Sequence, residues 1–283
     1  MATRRYISAA FAALALFAAP LAAATAPAIA KAPPVRLYVL DCGFITSTHP
    51  EYFGVTLNDV GGNADMPVSC YLIRHPKGIL LFDTGNGDWR RGKPPETGYG
   101  MTYLVPTSLA SQLRAIGVAP DAITYVAVSH FHLDHVGNLA MFPHATLLIQ
   151  QAELDSVRTS PAPSTPARAI ARLDQPGVEP ITGDHDVFGD GSVVLESTPG
   201  HTPGHQSLLV RLPHSGTIVL SGDLYHYAAE RTLGKVSDRE KATASPASRA
   251  RMEAIVAREH GQLWIGHDRA EFARLRKAPA FYD

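Results

Sequence analysis

The sequence has little of several features that would place the protein in other classes. Only two cysteines occur among its 283 residues, and they form no C-x-x-C pair, which argues against a cysteine-based metal knuckle. The formal net charge is −1, so no excess of positive charge favours nucleic acid as a partner. No G-x-S-x-G elbow is present, which argues against a serine hydrolase.

The apolar run near the N-terminus, residues 7–19, is too short to span a bilayer comfortably. It follows Arg4 and Arg5, ends at Pro20 and precedes small residues, which is typical of a secretory signal peptide. We expect a signal peptide over residues 1–24, with cleavage as late as residue 30, a linker over 25–34 and a domain over 35–283. The alternative is an uncleaved anchor helix. Export predicts a periplasmic or secreted protein with no stable membrane insertion after cleavage.

Cys42 and Cys70 each lie in or near a predicted strand. In an oxidising compartment they can form a disulfide. The other interpretation is two small buried side chains, and the sequence does not give the Cα separation that decides between them.

Strands alternate with helices from residue 35 onward, without an internal repeat. Strands are predicted over residues 35–40, 69–74, 78–82, 123–128, 145–150, 193–197, 207–212, 217–220 and 263–265. Helices are predicted over residues 108–116, 151–157, 248–259 and 270–276, the first with Ser108 as its N-cap. Two groups of strands with accompanying helices predict two sheets with helices outside.

Two stretches without clear periodicity, residues 44–66 and 86–106, are predicted to be loops of about 20 residues, a length that is more often functional than incidental. Their large side chains are candidates for an apolar substrate pocket or for attaching the loops to the domain: Tyr52, Phe53, Met66, Trp89, Tyr99, Met101 and Tyr103. The polar residues 228–247 predict a further flap.

The chemistry begins at the end of the strand over residues 123–128, with the sequence H-x-H-x-D-H. His130 and His132 are two residues apart in extended backbone, so they point to the same side and can bind one metal. Asp134 and His135 follow where the chain turns into a helix near Val136, and they can face a second metal. The motif is specific but does not decide the function alone.

Three more candidate ligands each follow an apolar strand. They are His201, Asp223 and His267. Taken singly, a strand-terminal aspartate usually caps a turn and a lone histidine is usually a solvated loop residue. Their shared placement after strands, in order behind the H-x-H-x-D-H motif, makes coincidence a poor explanation.

This set of seven residues resembles that of the metallo-β-lactamase superfamily, from Val35 onward. Several stretches resemble the N-acyl homoserine lactone lactonases within it: residues 67–72 (PVSCYL), 81–85 (LFDTG), 198–208 (TPGHTPGHQSL), 266–268 (GHD) and 280–282 (AFY). The resemblance implies an αββα sandwich, two mixed β-sheets with helices on the outside and the metals in a cleft at one edge.

The resemblance also implies the role of each ligand. Metal one is held by His130, His132 and His201, and metal two by Asp134, His135 and His267. Asp223 bridges the two metals, and Asp83 orients the ligands. Asp134 and Asp223 are therefore expected to serve in catalysis as well as in binding.

Two divalent cations about 3.5–4 Å apart hold a bridging water as hydroxide and polarise a carbonyl oxygen, which is what opening a lactone requires. Imidazole and carboxylate ligands without thiolate favour zinc, and iron, manganese or cobalt fit the same set. The expected reaction is hydrolysis of a small lactone or ester.

One position departs from the lactonase pattern. Those enzymes usually have a tyrosine three residues after the bridging aspartate, where its hydroxyl can polarise the substrate carbonyl. Here that position is His226, between Tyr225 and Tyr227. We expect one of the three to assist catalysis, and the alternative is that all three pack against the sheet or the flap.

The remaining histidines have weaker contexts. His205 is expected to support the ligands rather than bind metal, because both metals are already supplied. The others are expected at the surface: His49, His75, His144, His185, His214 and His260.

Other functions remain open at this point. Another exported two-metal hydrolase of the same fold would act as a β-lactamase, a thioesterase or an organophosphate or aryl esterase. β-Lactamases generally lack the aspartate found here as Asp223, and thioesterases of the glyoxalase type favour Gly-Gly where Gly137-Asn138 stands. The alternative outside enzymes is a periplasmic metal-binding protein.

Overall fold

The apolar strands pair into two β-sheets in the computed structural model, which describes residue 1 and residues 34–47, 49–98 and 100–283. The first sheet contains β1 (Arg36–Ser47), β2 (Met66–His75), β3 (Gly78–Phe82), β4 (Glu96–Gly98), β5 (Met101–Leu104), β6 (Tyr125–Ala127), β7 (Thr146–Gln150) and β8 (Val178–Ile181). The second contains β9 (His185–Asp186), β10 (Val193–Ser197), β11 (Gln206–Leu212), β12 (Gly216–Leu220) and β13 (Gln262–Trp264). The spatial orders are β4-β5-β1-β2-β3-β6-β7-β8 and β13-β12-β11-β10-β9.

Side-chain alternation along the strands builds a core on each face of each sheet. Leu37 of β1 and Leu208 of β11 lie in the core between the sheets. Tyr38, the next residue along β1, belongs to the core on the outer face of the first sheet. Leu209, the next residue along β11, packs on the outer face of the second sheet with Met252.

In the described part of the chain, these layers are completed by seven α-helices: α1 (Leu109–Ala115), α2 (Leu133–Val136), α3 (Gln151–Thr159), α4 (Ala167–Arg172), α5 (Ala228–Thr232), α6 (Ser245–Arg258) and α7 (Arg269–Arg274). Residues of α1, α3 and α4 lie in the outer core of the first sheet, and residues of α6 in that of the second. The predicted αββα sandwich is therefore confirmed, and the described residues from Pro34 onward belong to one compact unit. Ser108 caps α1 as predicted, its Oγ accepting from the Ser111 amide at 3.1 Å.

The predicted loop over residues 86–106 was partly wrong, because it contains the antiparallel pair β4 and β5. The predicted end of the first strand was also wrong. A register shift between Asp41 and Phe44 lets β1 continue to Ser47, and its second half pairs with β5. Both predictions failed because these segments lack clear apolar alternation and are specified by tertiary pairing, β5 with the second half of β1 and β4 with β5.

Cys42 and Cys70 form a disulfide between the neighbouring strands β1 and β2. Their Cα atoms lie 5.7 Å apart, within the range that a disulfide requires. Both residues are buried in the outer core of the first sheet. Of the two interpretations that the sequence left open, the structure has the disulfide.

Parallel pairing brings the carboxyl ends of several strands together at one edge of the sandwich. β3, β6 and β7 run parallel in the first sheet, as do β12 and β13 in the second. His130, Asp223 and His267 follow the ends of β6, β12 and β13, and ligand sites gather at such ends of parallel strands. His201 follows β10, which is antiparallel to β11 and therefore runs in the same direction as β12.

The predicted signal peptide after residue 1, and the linker up to residue 33, lie outside the described residues. Across the part of the chain that the structure describes, none of the helices combines the length and the apolarity that crossing a membrane requires.

Candidate metal centre

The H-x-H-x-D-H motif lies between β6 and α2. His130 follows β6 by three residues, and His132 is the N-cap residue of α2. The helix begins at Leu133, three residues earlier than predicted, so Asp134 and His135 lie in its first turn. The change from strand to helix turns these two pairs of side chains towards different neighbours.

The three ligand candidates from the second sheet converge on this motif. The Nε2 atom of His201 lies 3.0 Å from Nδ1 of His132. The Nε2 atom of His267 lies 3.4 Å from the Oδ2 atom of Asp134. Asp223 lies between them, in a 3-10 helix over Gly222–Leu224 that follows β12. The structure thus brings together all seven residues predicted as ligands.

The donor atoms form two groups that can each hold a cation. The first is His130, His132, His201 and Asp223, and the second is Asp134, His135 and His267. Asp223 faces both groups, because its Oδ2 lies 3.4 Å from His201 Nε2 and its Oδ1 lies 3.2 Å from Nε2 of both His135 and His267. This arrangement matches the division into two metals and a bridging aspartate that the resemblance implied.

Unsatisfied buried atoms show that the residues fit a pair of cations. His135 Nε2 and Asp223 Oδ1 are buried and lie 3.2 Å apart, yet neither atom makes a hydrogen bond with any described residue. Buried polar atoms normally have partners, and a cation between these donors would provide one. Burial, reinforced by His201, lowers the pKa of His132 to about 3, so its imidazole stays neutral and keeps a lone pair for a metal.

The carboxylates of the site require positive charge. Burial alone would lower the pKa of His135, yet the carboxylates of Asp223 and Asp134 raise it well above its ordinary value. Burial would likewise raise the pKa of Asp223, but the facing histidines, chiefly His135 and His267, hold it well below its usual range. The acids therefore remain ionised, and divalent cations are the counter-charge that histidine and carboxylate donors together suit.

Each of several ligand histidines has its second ring nitrogen held by another group, as is usual at metal sites. His135 Nδ1 lies 2.9 Å from Asp83 Oδ2, the contact expected from the resemblance. His201 Nδ1 lies 3.1 Å from Glu240 Oε1, and His267 Nδ1 donates to the Pro67 carbonyl at 2.8 Å. These contacts hold each Nδ1, so that the Nε2 atom of the same ring faces the other donor atoms of its group.

Comparison with known proteins gives the same superfamily that the seven ligand candidates resemble. A family model described as the metallo-beta-lactamase superfamily matches residues 64–255. The chain belongs to this superfamily. It is 30% identical to the N-acyl homoserine lactonase AttM of Azorhizobium caulinodans over 269 residues, covering 88% of this chain and 99% of that protein. It is 28% identical to the N-acyl homoserine lactonase AiiA of Bacillus thuringiensis subsp. kurstaki, covering 77% and 87%.

Solved structures of superfamily enzymes share the fold. An N-acyl homoserine lactone hydrolase with the product N-hexanoyl-L-homoserine at its catalytic metal centre has a TM-score of 0.73 and 24% identity, covering 87% of this chain and 98% of that one. AidC, described as a dizinc quorum-quenching lactonase, has a TM-score of 0.64 and 19% identity, covering 89% and 95%.

His205 supports the donor groups from behind through its contact with Asp223, as predicted. Its Nε2 accepts from the amide of Asp223 at 2.9 Å, and its Nδ1 lies 2.8 Å from Thr198 Oγ1. Burial lowers the pKa of His205 to about 3, which keeps the ring neutral and able to accept. Gly222 has φ +55°, and a Cβ there would lie 2.7 Å from His205 Nε2, so this approach requires glycine.

The three residues at the position that departs from the lactonase pattern point in different directions. His226 is buried, and its Nε2 lies 3.2 Å from Asp223 Oδ2. The Tyr225 hydroxyl donates to Glu253 Oε1 at 3.1 Å, and the Tyr227 hydroxyl donates to the Ala64 carbonyl at 2.7 Å. Of these three candidates, one of which was expected to assist catalysis, the structure brings only His226 to the ligands.

A cavity of about 530 Å³ opens above both donor groups. Of the seven large side chains that were candidates for a pocket or for attaching the loops, five line the cavity: Tyr52, Phe53, Met66, Met101 and Tyr103. Trp89 instead stacks with Arg90 and Arg168, and Tyr99 lies outside the described residues. The cavity therefore combines apolar side chains with a polar floor formed by the ligands.

Two buried glutamates beside the ligand residues were not predicted from the sequence. Glu153 of α3 accepts from the amides of Phe131 and Gly204, at 2.8 and 3.0 Å, which fixes two ligand loops against each other. Glu240 orients His201 from the stretch predicted only as a polar flap. The only available signal was the position of Glu153 in the first turn of a predicted helix, and Glu240 has no sequence signal.

His75 was wrongly predicted to lie at the surface. Its ring stacks on Phe188 with centroids 4.0 Å apart, and its Nε2 lies 2.9 Å from Asp190 Oδ2. The residue is buried because the turn after β2 packs against the loop that precedes β10.

Proposed function

We propose that the protein is a dinuclear metal-dependent hydrolase that opens the lactone ring of N-acyl homoserine lactones or related lactones. The observation that carries this proposal is the convergence of two donor groups on Asp223 at the floor of an open cavity with apolar walls. Its support from relatives is the 30% identity to a lactonase over nearly the whole length of both chains.

The two donor groups would hold the cations, and we propose zinc because the donors are imidazole and carboxylate without thiolate. When bound, such cations lower the pKa of a water molecule and polarise a carbonyl oxygen. Asp223 would serve both cations, because its two carboxylate oxygens face different donor groups. The apolar walls around Phe53, Met66 and Met101 would hold the acyl chain of the substrate and exclude water from it.

We propose that His226 takes the part that tyrosine usually has in the lactonases. Its Nε2 lies at the cavity floor beside Asp223, where it can donate to the lactone carbonyl oxygen or to the departing ring oxygen. Glu230 fixes the backbone at this point by accepting from the amides of His226 and Tyr227. His226 therefore approaches the substrate from a constrained position.

The experiment that tests the function uses zinc-loaded protein and a panel of substrates. The panel contains short- and long-chain homoserine lactones, a simple lactone, nitrocefin, a thioester and an organophosphate. We expect kcat/KM for a lactone to exceed that for the others by at least about 100-fold, which is about 2.7 kcal/mol of transition-state preference. Inert lactones together with rapid turnover of another panel member would overturn the lactonase proposal.

Replacing His226 by phenylalanine is expected to lower kcat on the favoured lactone about 100-fold with little change in KM, because a donor to developing negative charge is lost. His226→Tyr is expected to retain much of the activity, since it restores a hydroxyl at this position. Tyr225→Phe is the control, because the Tyr225 hydroxyl bonds Glu253 away from the ligands. Wild-type kcat in His226→Phe with its zinc retained would remove His226 from the mechanism.

We also propose that the protein is exported and acts in the periplasm or outside the cell. The support is the signal-like segment over residues 1–24 and the pairing of both cysteines, which oxidising compartments favour. Fractionation of cells that produce the full chain is expected to give a periplasmic or secreted protein whose new N-terminus lies between residues 25 and 31. An intact N-terminus in the cytoplasmic fraction would contradict export.

A further inference from the structure

Residues 228–244, here called the cover segment, contribute both to the cavity and to the metal centre. Ser237, Arg239, Glu240 and Thr243 line the cavity. Glu240 reaches the ligand histidine of the first donor group, with Oε1 3.1 Å from His201 Nδ1. The segment is polar and holds only the short helix α5, so its own secondary structure does little to fix it in place.

A single arginine from the neighbouring helix α6 ties the cover segment down at three points. Arg249 Nη2 donates to Glu230 Oε1 at 2.8 Å and to Glu240 Oε2 at 3.4 Å. Its Nη1 donates to the carbonyl of Lys235 at 2.7 Å. The side chain is 7% exposed, and those of Glu230 and Glu240 are 1% and 9% exposed.

Both glutamates act on residues of the centre. Glu240 divides its oxygens between His201 and the Ser245 hydroxyl, which donates to Oε2 at 2.6 Å. Glu230 accepts from the amide of His226 at 2.5 Å through Oε2. Arg249 is therefore connected to the ligand candidate His201 through Glu240, and to the proposed substrate-facing His226 through Glu230.

We infer that Arg249 is a positioning residue, which fixes His201 and His226 through the two glutamates and thereby sets the affinity of the first donor group for its cation. Without the guanidinium, two buried carboxylates lose their shared counter-charge and are drawn towards solvent. Glu240 would then leave His201 Nδ1, and the imidazole would lose its fixed orientation.

The effect should be confined to one of the two cations. The second donor group has its own carboxylate, Asp83, which lies 2.9 Å from His135 Nδ1 and accepts from the Ser129 amide at 2.6 Å. No described hydrogen bond or ion pair joins Asp83 to Arg249 or to either of its glutamates. Replacing a residue that only stabilised the fold would lower the cation affinity of both donor groups equally.

Helix α6 also supplies a matched control. Arg251, two residues further on, binds two carboxylates, Asp184 and Glu196, at 2.6 Å each, and the Ser197 carbonyl at 3.1 Å. It thus bridges two carboxylates and a carbonyl as Arg249 does, although it is 39% exposed and lacks the stacking of Arg249 on Tyr225. It touches neither the cover segment nor a ligand. The stability of Arg251→Met therefore shows how far the loss of a bridging arginine from α6 destabilises the folded protein.

The experiment titrates zinc from the loaded protein with a chromogenic chelator and follows the two equivalents separately. In Arg249→Met we expect one equivalent to bind about 10- to 100-fold more weakly and the other to bind as in wild type. Arg249→Lys should recover part of that loss. Arg251→Met should retain both equivalents at wild-type affinity, even where its melting temperature falls.

Two results would overturn the inference: wild-type affinity for both equivalents in Arg249→Met, or an equal loss of both. If Arg249→Met does not fold, the pair Arg249→Lys and Glu240→Gln decides. Because Arg249 acts on His201 through Glu240, the double variant should bind zinc about as weakly as Glu240→Gln alone, and additive losses would overturn the inference. The inference rests on the proposed function only for the role of His226, since zinc retention is measured without a substrate.

Discussion

Asp223→Asn is expected to lower kcat/KM by about 10³-fold, which corresponds to about 4 kcal/mol of transition-state stabilisation. One Asp223 oxygen lies 3.4 Å from His201 Nε2, and the other lies 3.2 Å from His135 Nε2. Asparagine keeps the shape of the side chain but replaces one oxygen by an NH₂ group and removes the negative charge. Each donor group would therefore lose part of the negative charge that neutralises its cation. Asp223 is also the residue that both donor groups share.

The measurement is kcat/KM on the favoured lactone together with zinc content, and we expect the variant to retain less zinc than wild type. Asp190→Asn is the control, because it removes an aspartate that pairs with His75 and has no described hydrogen bond or ion pair to a ligand. Activity within threefold of wild type in Asp223→Asn would show that the shared carboxylate is not needed, and the two-cation mechanism would then fail.

Removing the disulfide by the double replacement Cys42→Ala and Cys70→Ala is expected to lower the free energy of unfolding by about 3–4 kcal/mol. The bond closes a loop with a sequence separation of 28, so its loss restores conformational freedom to the unfolded chain. Both cysteines are buried within β1 and β2, so the smaller alanine side chains also remove some packing contacts.

Urea unfolding of the zinc-loaded proteins measures this difference, with wild type in the presence of a reductant as the comparison. The reduced wild type should unfold close to the double variant, because both lack the same covalent link. A difference below about 1 kcal/mol between oxidised wild type and the double variant would indicate that the loop is already restricted in the unfolded chain.

The elements that the sequence predicted well are those in which local pattern and tertiary contacts agree. The strand over Val193–Ser197 and the hairpin strand over Gly78–Phe82 were predicted with the bounds that they have. Their residues alternate or form short apolar runs bounded by turn residues, which is the pattern of buried strands. The seven ligands were predictable for the same reason, because each follows such a strand or lies in the H-x-H-x-D-H motif.

The residues that sequence analysis missed depend on contacts between distant parts of the chain. Glu240, Glu230 and Arg249 occur in a polar stretch and on a helix surface, where charged residues are usually solvated. Their burial arises only when α6 packs beside the cover segment. The strands β4 and β5 were missed similarly, since β5 pairs with the distant second half of β1, as in Ser47 with Met101, and β4 pairs only with β5.

The two donor groups each take their donors from both sheets of the sandwich. His130 and His135 follow β6 in the first sheet, whereas His201 and His267 follow strands of the second. Bound cations would therefore act as exchangeable cross-links between the two halves, in contrast to the disulfide, which joins two strands of one sheet. Because an unfolded chain cannot assemble these sites, each tenfold rise in free zinc above saturation would add about 1.4 kcal/mol per site to the stability of the sandwich. The persistence of the folded protein would then follow the metal supply of its surroundings.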